Sequence, residues 1–166
     1  MDRGGTEMKI LLALMLLTGV ILVSGAEWVS SYRTAKKQAI AQNKKILIFF
    51  SGSDWCESGR ILNRDLFRTR SFQQLASEKY ILYNADFPKY TKQGQEQEDT
   101  NKQLAARYGI HRFPALVVVE PKYGGLLVKQ IGVKGMTPKM LLDKLTKIEA
   151  DTAQSYRLPR KGNPAR

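Results

Sequence analysis

The feature that most constrains the fold is an uninterrupted apolar run, ILIFF, at residues 46–50. The segment 45–50 is too short and too continuously apolar for a surface helix, so we predict a β-strand buried on both faces. A turn-forming sequence, SGS (51–53), follows it, and apolar residues then recur at helical spacing over 55–67. A strand with two apolar faces needs helices on both sides of its sheet.

The rest of the chain alternates helical and strand patterns. We predict further helices over 27–43, 71–78, 99–108 and 138–150, and further strands over 80–85, 115–120 and 126–132. This alternation favours parallel pairing in a sheet covered on both faces, and the turn PKYGG (121–125) adds one antiparallel hairpin. The predicted fold is therefore α/β, with a central mixed sheet of four or five strands and helices on both faces.

The first 26 residues have the pattern of a secretory signal. Fourteen uncharged residues, 10–23, follow Lys9, and the small residues Ser24 and Ala26 fit a signal peptidase site. We expect cleavage after Ala26 and a periplasmic or secreted protein. The alternative is a membrane anchor, but the apolar run falls short of the ~20 residues that cross a bilayer. No cysteine follows the run, which excludes a lipoprotein anchor.

The chain is strongly basic, with a net charge of +12. Such an excess favours acidic partners or anionic surfaces. The export signal, and the lack of a basic stripe interleaved with aromatic residues, argue against nucleic acid. The last residues, 151–166, are basic and rich in Pro and Gly, so we predict a disordered tail after a folded domain at 27–150.

Two motifs resemble signatures of the thioredoxin family. ILIFFSGSDWCESGR (46–60) resembles the family's strand, turn and active-site helix, with Trp55 and Cys56 at the Trp-Cys of its WCxxC motif. GIHRFPALVVVE (109–120) resembles the second signature, where a cis-proline, here Pro114, faces the active cysteine. Residues 86–110 are similar to a longer loop and helix of exported bacterial thioredoxin-like proteins. The resemblance covers residues 28–150 and implies the thioredoxin fold.

The sequence departs from this family at two positions. The resolving cysteine of the family corresponds to Gly59, which makes the motif a single-cysteine CxxG variant. The family's buried carboxylate, six positions before the first cysteine, corresponds to Phe50. Both parts of the resolving step are therefore missing, whereas the attacking position and the proline loop remain.

A single thiol at Cys56 can still carry out exchange. Unpaired N–H groups and the helix dipole stabilise a thiolate at a helix start. Arg60, one turn later, would add positive charge, whereas Asp54 and Glu57 oppose it, so the net effect stays open. His111, the only histidine, either titrates beside Cys56 or is a loop residue without a catalytic task.

The resemblance implies a docking surface made of Trp55, Phe113 and Pro114, where a cis peptide exposes backbone groups to an extended substrate. The first functional hypothesis is a monothiol disulfide oxidoreductase acting on protein or peptide thiols and disulfides, or on glutathione. The second is a non-catalytic binding module that uses the same groove for a peptide or partner protein. We expect a monomer without a cofactor, and one histidine with one cysteine exclude a four-ligand zinc site.

Overall fold

The apolar run forms the central strand of a five-stranded sheet in a computed structural model that describes residues 28–131 and 135–157. The strands are β1 (Trp28–Val29), β2 (Lys45–Ser51), β3 (Tyr80–Asp86), β4 (Ala115–Val119) and β5 (Leu126–Ile131). Their order across the sheet is β1-β3-β2-β4-β5. β3 pairs in parallel with β1 and β2, and β4 pairs antiparallel with β2 and β5. The prediction of a mixed α/β sheet is confirmed.

Within the described ranges, five α-helices surround the sheet: α1 (Tyr32–Ala41), α2 (Glu57–Leu62), α3 (Arg70–Ser77), α4 (Gln95–Arg107) and α5 (Pro138–Arg157). Three of them begin at a hydroxyl cap, because the side chains of Ser31, Thr69 and Thr137 accept a backbone N–H three residues later. A π-helical turn (Asn63–Phe67) continues α2, and the Arg68 N–H donates to the Asn63 carbonyl at 2.9 Å.

The core forms one layer on each face of the sheet, as expected for strands that are apolar on both sides. On the first face, α1 and α4 pack on the even-numbered side chains of β2, with Ala35, Ala39, Ile46, Ile48, Phe50, Leu104 and Ala105 buried. On the second face, the π-helical turn, α3 and α5 pack on the odd-numbered side chains, with Leu47, Phe49, Phe67, Phe72, Leu141 and Leu145 buried.

The predicted helix over 27–43 is wrong at its start. Trp28 and Val29 instead form an edge strand that pairs with Leu82 and Tyr83 of β3. Trp28 packs against the second core layer and Val29 against the first, an alternation that suits a strand and not a helix. The helix begins only after Ser31, whose hydroxyl accepts the Thr34 N–H at 3.1 Å.

The C-terminal helix is longer than predicted. α5 continues to Arg157, so residues 151–157 are helical where the composition predicted a disordered tail. The rest of that tail (158–166) and the predicted signal peptide (1–26) lie outside the described residues. Within residues 28–131 and 135–157, no helix is both long enough and apolar enough to span a membrane.

Candidate active site around Cys56

Cys56 is the N-cap residue of α2. Its backbone N–H donates to the Gly52 carbonyl at 2.9 Å, and its own carbonyl accepts the Arg60 N–H at 3.0 Å. The sulfur lies 3.7 Å from the Ser58 hydroxyl, and the residue is 5% exposed. The Cys56 side chain is therefore buried, and its sulfur lies near the first turn of α2 at Gly59.

Gly59 occupies the position of the family's second cysteine and lies between Ser51 and Cys56. A Cβ built on Gly59 would lie 2.9 Å from the Cβ of Ser51 and 3.2 Å from the sulfur of Cys56. The first of these distances is too short for a normal contact, so any side chain here requires Ser51 to move. The local packing therefore suits glycine and leaves Cys56 without a neighbouring thiol.

Phe50 fills the position of the family's buried carboxylate. It is fully buried in the first core layer, and its ring stacks on Phe87 with centroids 6.4 Å apart. A phenylalanine ring cannot accept a proton. The site thus lacks an internal base at this position, as the sequence predicted.

Trp55 connects the cysteine loop to the proline loop. Its indole N–H donates to the Phe87 carbonyl at 2.7 Å, and its ring meets Phe113 edge-on with centroids 5.8 Å apart. Phe87 and Phe113 also contact each other, with centroids at 5.0 Å. We call Trp55, Phe87 and Phe113 the aromatic cluster. It requires a glycine at position 52, because a Cβ there would lie 2.1 Å from the indole nitrogen.

The Phe113–Pro114 peptide bond is cis and directly precedes β4. Ala115, the first residue of β4, pairs with Phe50, so the proline loop lies at the same end of the sheet as the segment that leads to Cys56. Among the described residues, 111–114 make no backbone–backbone hydrogen bond outside the strand pairing.

Two aspartates hold the loops around Cys56. Asp86, at the end of β3, accepts the N–H of Ser53 at 2.8 Å and its hydroxyl at 2.6 Å. The Asp86 carbonyl accepts the side-chain amide of buried Asn101 at 2.9 Å, and Asn101 in turn accepts the Tyr83 hydroxyl at 2.6 Å. The turn that leads to Cys56 is thus tied to α4 through the sheet.

Asp54 holds the loop after β3. Its carboxylate accepts the backbone N–H groups of Lys89, Tyr90 and Thr91 at 2.8–2.9 Å. Desolvation raises the pKa of Asp54, but the hydrogen bonds from residues 89–91 together outweigh it and lower the pKa from 3.8 to about 2. Because Lys89 Nζ lies 4.2 Å from the Trp55 ring centroid, the same loop also covers part of the aromatic cluster.

Replacing Asp54 with alanine should release this loop. We expect the amides of residues 89–91 to exchange with deuterium severalfold faster than in the parent protein, since they lose their acceptor. Because folding lowers the pKa of Asp54, its contribution is present above the ordinary value of 3.8 and is lost as the pH falls through about 2. Hydrogen–deuterium exchange of peptides that cover 87–94 measures the first effect, and tryptophan fluorescence between pH 4 and 2 the second.

The control for this variant is Asp143→Ala, which removes an exposed carboxylate paired only with Lys139 on α5. It should leave exchange over residues 87–94 unchanged. Equal exchange in the parent protein and the Asp54→Ala variant would show that the carboxylate does not hold the loop.

The two predicted modulators are exposed. The side chains of Arg60 and His111 make no hydrogen bond or ion pair with another described residue, and neither side chain contacts Cys56 through such a bond. Sequence reasoning missed Asp54 as a loop anchor, because its partners are 35–37 residues away. In the described part of the chain, no group of three or more His, Cys, Asp or Glu residues could hold a metal ion.

Comparison with known proteins agrees with this geometry. Residues 27–121 match a family model described as thioredoxin-like. The chain is 29% identical over 121 residues to the disulfide bond reductase DsbH of Chlamydia pneumoniae, covering 73% of this chain and 69% of that protein. It is 20% identical over 121 residues to the thioredoxin-related protein DsbJ of the same organism, covering 68% of this chain and 35% of DsbJ.

A solved structure of a DsbH oxidoreductase superposes with a TM-score of 0.68 at 26% identity, over 76% of this chain and 86% of that one. The family match covers more than half of the sequence and spans both the Cys56 loop and the Phe113–Pro114 bond. The chain therefore belongs to the thioredoxin-like family.

Proposed function

We propose that this protein exchanges thiols with disulfides through Cys56 alone. The observation that carries the proposal is the placement of Cys56 at the start of α2, joined to the cis-proline loop through the aromatic cluster. The chain has no second cysteine, and Gly59 and Phe50 occupy the two positions that a resolving step would use. The site thus keeps the attacking group and lacks the internal release.

The reaction has two steps. The Cys56 thiol loses its proton to solvent, and the sulfur lone pair attacks one sulfur of a disulfide, R–S–S–R′. A Cys56–S–S–R bond forms, the old disulfide bond breaks, and its electron pair leaves on R′–S⁻. A second thiol from solution then attacks the mixed disulfide, which restores reduced Cys56 and releases a new disulfide.

Substrate docking is proposed at the loop 111–114. An extended peptide would pair with the backbone groups of this loop in the manner of an added strand, because the loop runs directly into β4. Trp55, Phe113 and Pro114 would supply the apolar contacts. Trp55 and Phe113 are only partly buried, so both can contact a bound chain.

The relatives support the class of substrate. The relative at 29% identity is named a disulfide bond reductase. Attack on a disulfide is also the reaction that we propose for the Cys56 thiol. We extend the proposal to protein or peptide disulfides, with glutathione as a candidate second thiol.

Export follows from the predicted signal at residues 1–26, with a monomeric folded domain from residue 27. No membrane anchor would remain after cleavage.

One observation favours a second candidate function. Cys56 is only 5% exposed, which limits direct attack on a bulky disulfide. A non-catalytic binding module would use the aromatic cluster and the loop 111–114 to hold a peptide, with the sulfur as a packing group. The two functions differ in whether Cys56 reacts with a disulfide while the protein is folded.

The test is the formation of a mixed disulfide by the folded protein. We expect incubation with oxidised glutathione or a disulfide-containing peptide to give one adduct per chain by intact mass, and added thiol to remove it. Cys56→Ser should give no adduct and should melt at nearly the same temperature, because the two side chains are similar in size. With dithiothreitol, insulin reduction should be slow or absent, since no internal disulfide can form.

The outcome that contradicts the proposal is a folded protein in which Cys56 forms no adduct and alkylates no faster than a model thiol. The binding-module function would then take its place. Rapid insulin reduction by the single thiol would instead contradict the monothiol part of the mechanism.

A further inference from the structure

An open cavity lies beside Gly59 on the second face of the sheet. Its volume is about 240 Å³, which is the size of a small molecule. It opens at the carboxyl ends of the parallel strands β2 and β3, where ligands commonly bind in α/β sheets. The lining residues are Ser51, Ser53, Gly59, Arg60, Asn63, Arg64, Arg68 and Asn84. We call this cavity the arginine pocket.

Three of the residues that line the arginine pocket are arginines and none is acidic, although the Asp86 carboxylate binds the lining residue Ser53. Arg60, Arg64 and Arg68 are spaced four residues apart and are all exposed. The π-helical turn over 63–67 takes more residues per turn than an α-helix, which helps to keep side chains at this spacing on one side. Arg64 forms an exposed ion pair with its neighbour Asp65, whereas Arg60 and Arg68 pair with no described residue.

The floor of the pocket holds polar groups without partners. The Asn84 side-chain oxygen is buried and accepts no hydrogen bond from any described residue. The Ser51 hydroxyl also makes no hydrogen bond with a described residue, but unlike the Asn84 oxygen it is not completely closed off from solvent. Unpaired buried polar groups are costly, so a polar ligand or water is expected there. Rotation of the Asn84 side-chain amide by half a turn exchanges its oxygen with its NH2 group, which can donate a hydrogen bond to an anion. The Ser51 hydroxyl can donate to an anion as well.

Gly59 lies between the arginine pocket and the sulfur of Cys56, which does not itself line the pocket. Ser51 and Gly59 both line it, and the missing Cβ of Gly59 would lie 3.2 Å from Sγ. A ligand that is held among the arginines and extends past Gly59 would bring its far end toward Sγ. Because Gly59 has no side chain, it also leaves few atoms between the arginine pocket and the sulfur of Cys56.

We propose that the arginine pocket binds the carboxylate of a small disulfide whose sulfur is attacked by Cys56. This inference rests on the proposed exchange function and names its substrate class: small, anionic sulfur compounds. Arginine is suited to the role because its guanidinium can hold a carboxylate with two parallel hydrogen bonds. The bond changes are those of the exchange reaction described above, with the leaving thiolate carrying the second carboxylate.

The experiment compares three small disulfides of similar length and different charge: 3,3′-dithiodipropionate (anionic), bis(2-hydroxyethyl) disulfide (neutral) and cystamine (cationic). The rate of adduct formation at Cys56 is measured by intact mass, and each rate is divided by that of a cysteine-containing model peptide. We expect the normalised rate for the anionic disulfide to exceed that for the neutral one by about tenfold. Added salt should reduce this preference.

The test variant is Arg64→Gln/Arg68→Gln, which leaves Arg60 in place because that charge lies one turn from Cys56. In this variant, the normalised rate for the anionic disulfide should be about equal to the normalised rate for the neutral disulfide. The control is Arg33→Gln/Lys37→Gln on α1, which removes the same charge from the opposite face of the sheet. The control should keep the preference, and circular dichroism should show that both variants are folded.

A second measurement separates this proposal from the exchange function. Calorimetry should detect binding of 3,3′-dithiodipropionate to Cys56→Ser. Adding Arg64→Gln and Arg68→Gln to the Cys56→Ser variant should abolish this binding. If the parent protein reacts with all three disulfides in the ratio of the model peptide, the pocket proposal fails and the exchange function stands. If Cys56 never reacts but this binding is observed, the exchange function fails and only the anion site remains. If Cys56→Ser binds no 3,3′-dithiodipropionate, the pocket proposal is overturned.

Discussion

Replacing Phe67 with alanine is expected to lower the free energy of unfolding by about 3–5 kcal/mol. Phe67 is fully buried, and its ring contacts those of Trp28, Phe49 and Phe72 at centroid distances of 5.5, 4.7 and 4.9 Å. Truncation removes the apolar contacts and leaves a cavity that these three rings cannot fill without leaving their packed positions. The melting temperature should fall by about 10–20 °C.

The effect should extend to the site, because Phe67 ends the π-helical turn that continues α2. Leu66 and Phe67 are the two buried residues of that turn, and they attach the segment after Cys56 to the second core layer. A loosened turn would leave α2 anchored mainly at its N-terminus. We therefore expect Cys56 in Phe67→Ala to alkylate faster than in the parent protein, even well below the melting temperature.

Chemical denaturation with urea and alkylation kinetics measure the two effects. The control is Tyr123→Ala, which truncates an aromatic ring that is 84% exposed and should change stability by no more than about 0.5 kcal/mol. A loss below about 1 kcal/mol in Phe67→Ala would mean that the second core layer does not depend on this ring cluster.

The local pattern was sufficient to predict the frame of the site. A continuous apolar run of only five residues favours a strand buried on both faces, and the alternation of helix and strand patterns after it predicted the mixed sheet. The edge strand Trp28–Val29 could not be found in this way, because two residues show no periodicity. Its position depends on pairing with β3, more than fifty residues later in the chain.

The parts of the site that the sequence did not predict depend on long-range contacts. The spacing of Arg60, Arg64 and Arg68 is visible on a predicted helix, but the pocket also needs Asn84. That residue lies next to Phe49 only because of the register between β2 and β3. The burial of Cys56 likewise follows from the close approach of Gly59 and Ser51, which no local pattern encodes.

Gly59→Cys should allow an internal disulfide bond to form between positions 56 and 59. The Cβ of a residue at position 59 would lie 3.6 Å from the Cβ of Cys56, within the range of 3.5–4.5 Å found in disulfides. The same Cβ would lie 2.9 Å from that of Ser51, so Ser51 must move or be reduced to glycine. We expect both Gly59→Cys and Ser51→Gly/Gly59→Cys to lose their two free thiols on oxidation, with the double variant more stable.

The activity of these variants tests what the resolving step needs. With an internal thiol, insulin reduction by dithiothreitol should rise well above that of the parent protein, because the mixed disulfide can now be released within the chain. It should stay below that of a complete dithiol site, since Phe50 provides no proton acceptor for the new thiol. Gly59→Ser introduces a side chain of similar size without the sulfur and should show no gain. If oxidised Ser51→Gly/Gly59→Cys keeps two titratable thiols, then residue 59 does not face the sulfur of Cys56. In that case the geometry that supports both the monothiol mechanism and the position of the arginine pocket would be wrong.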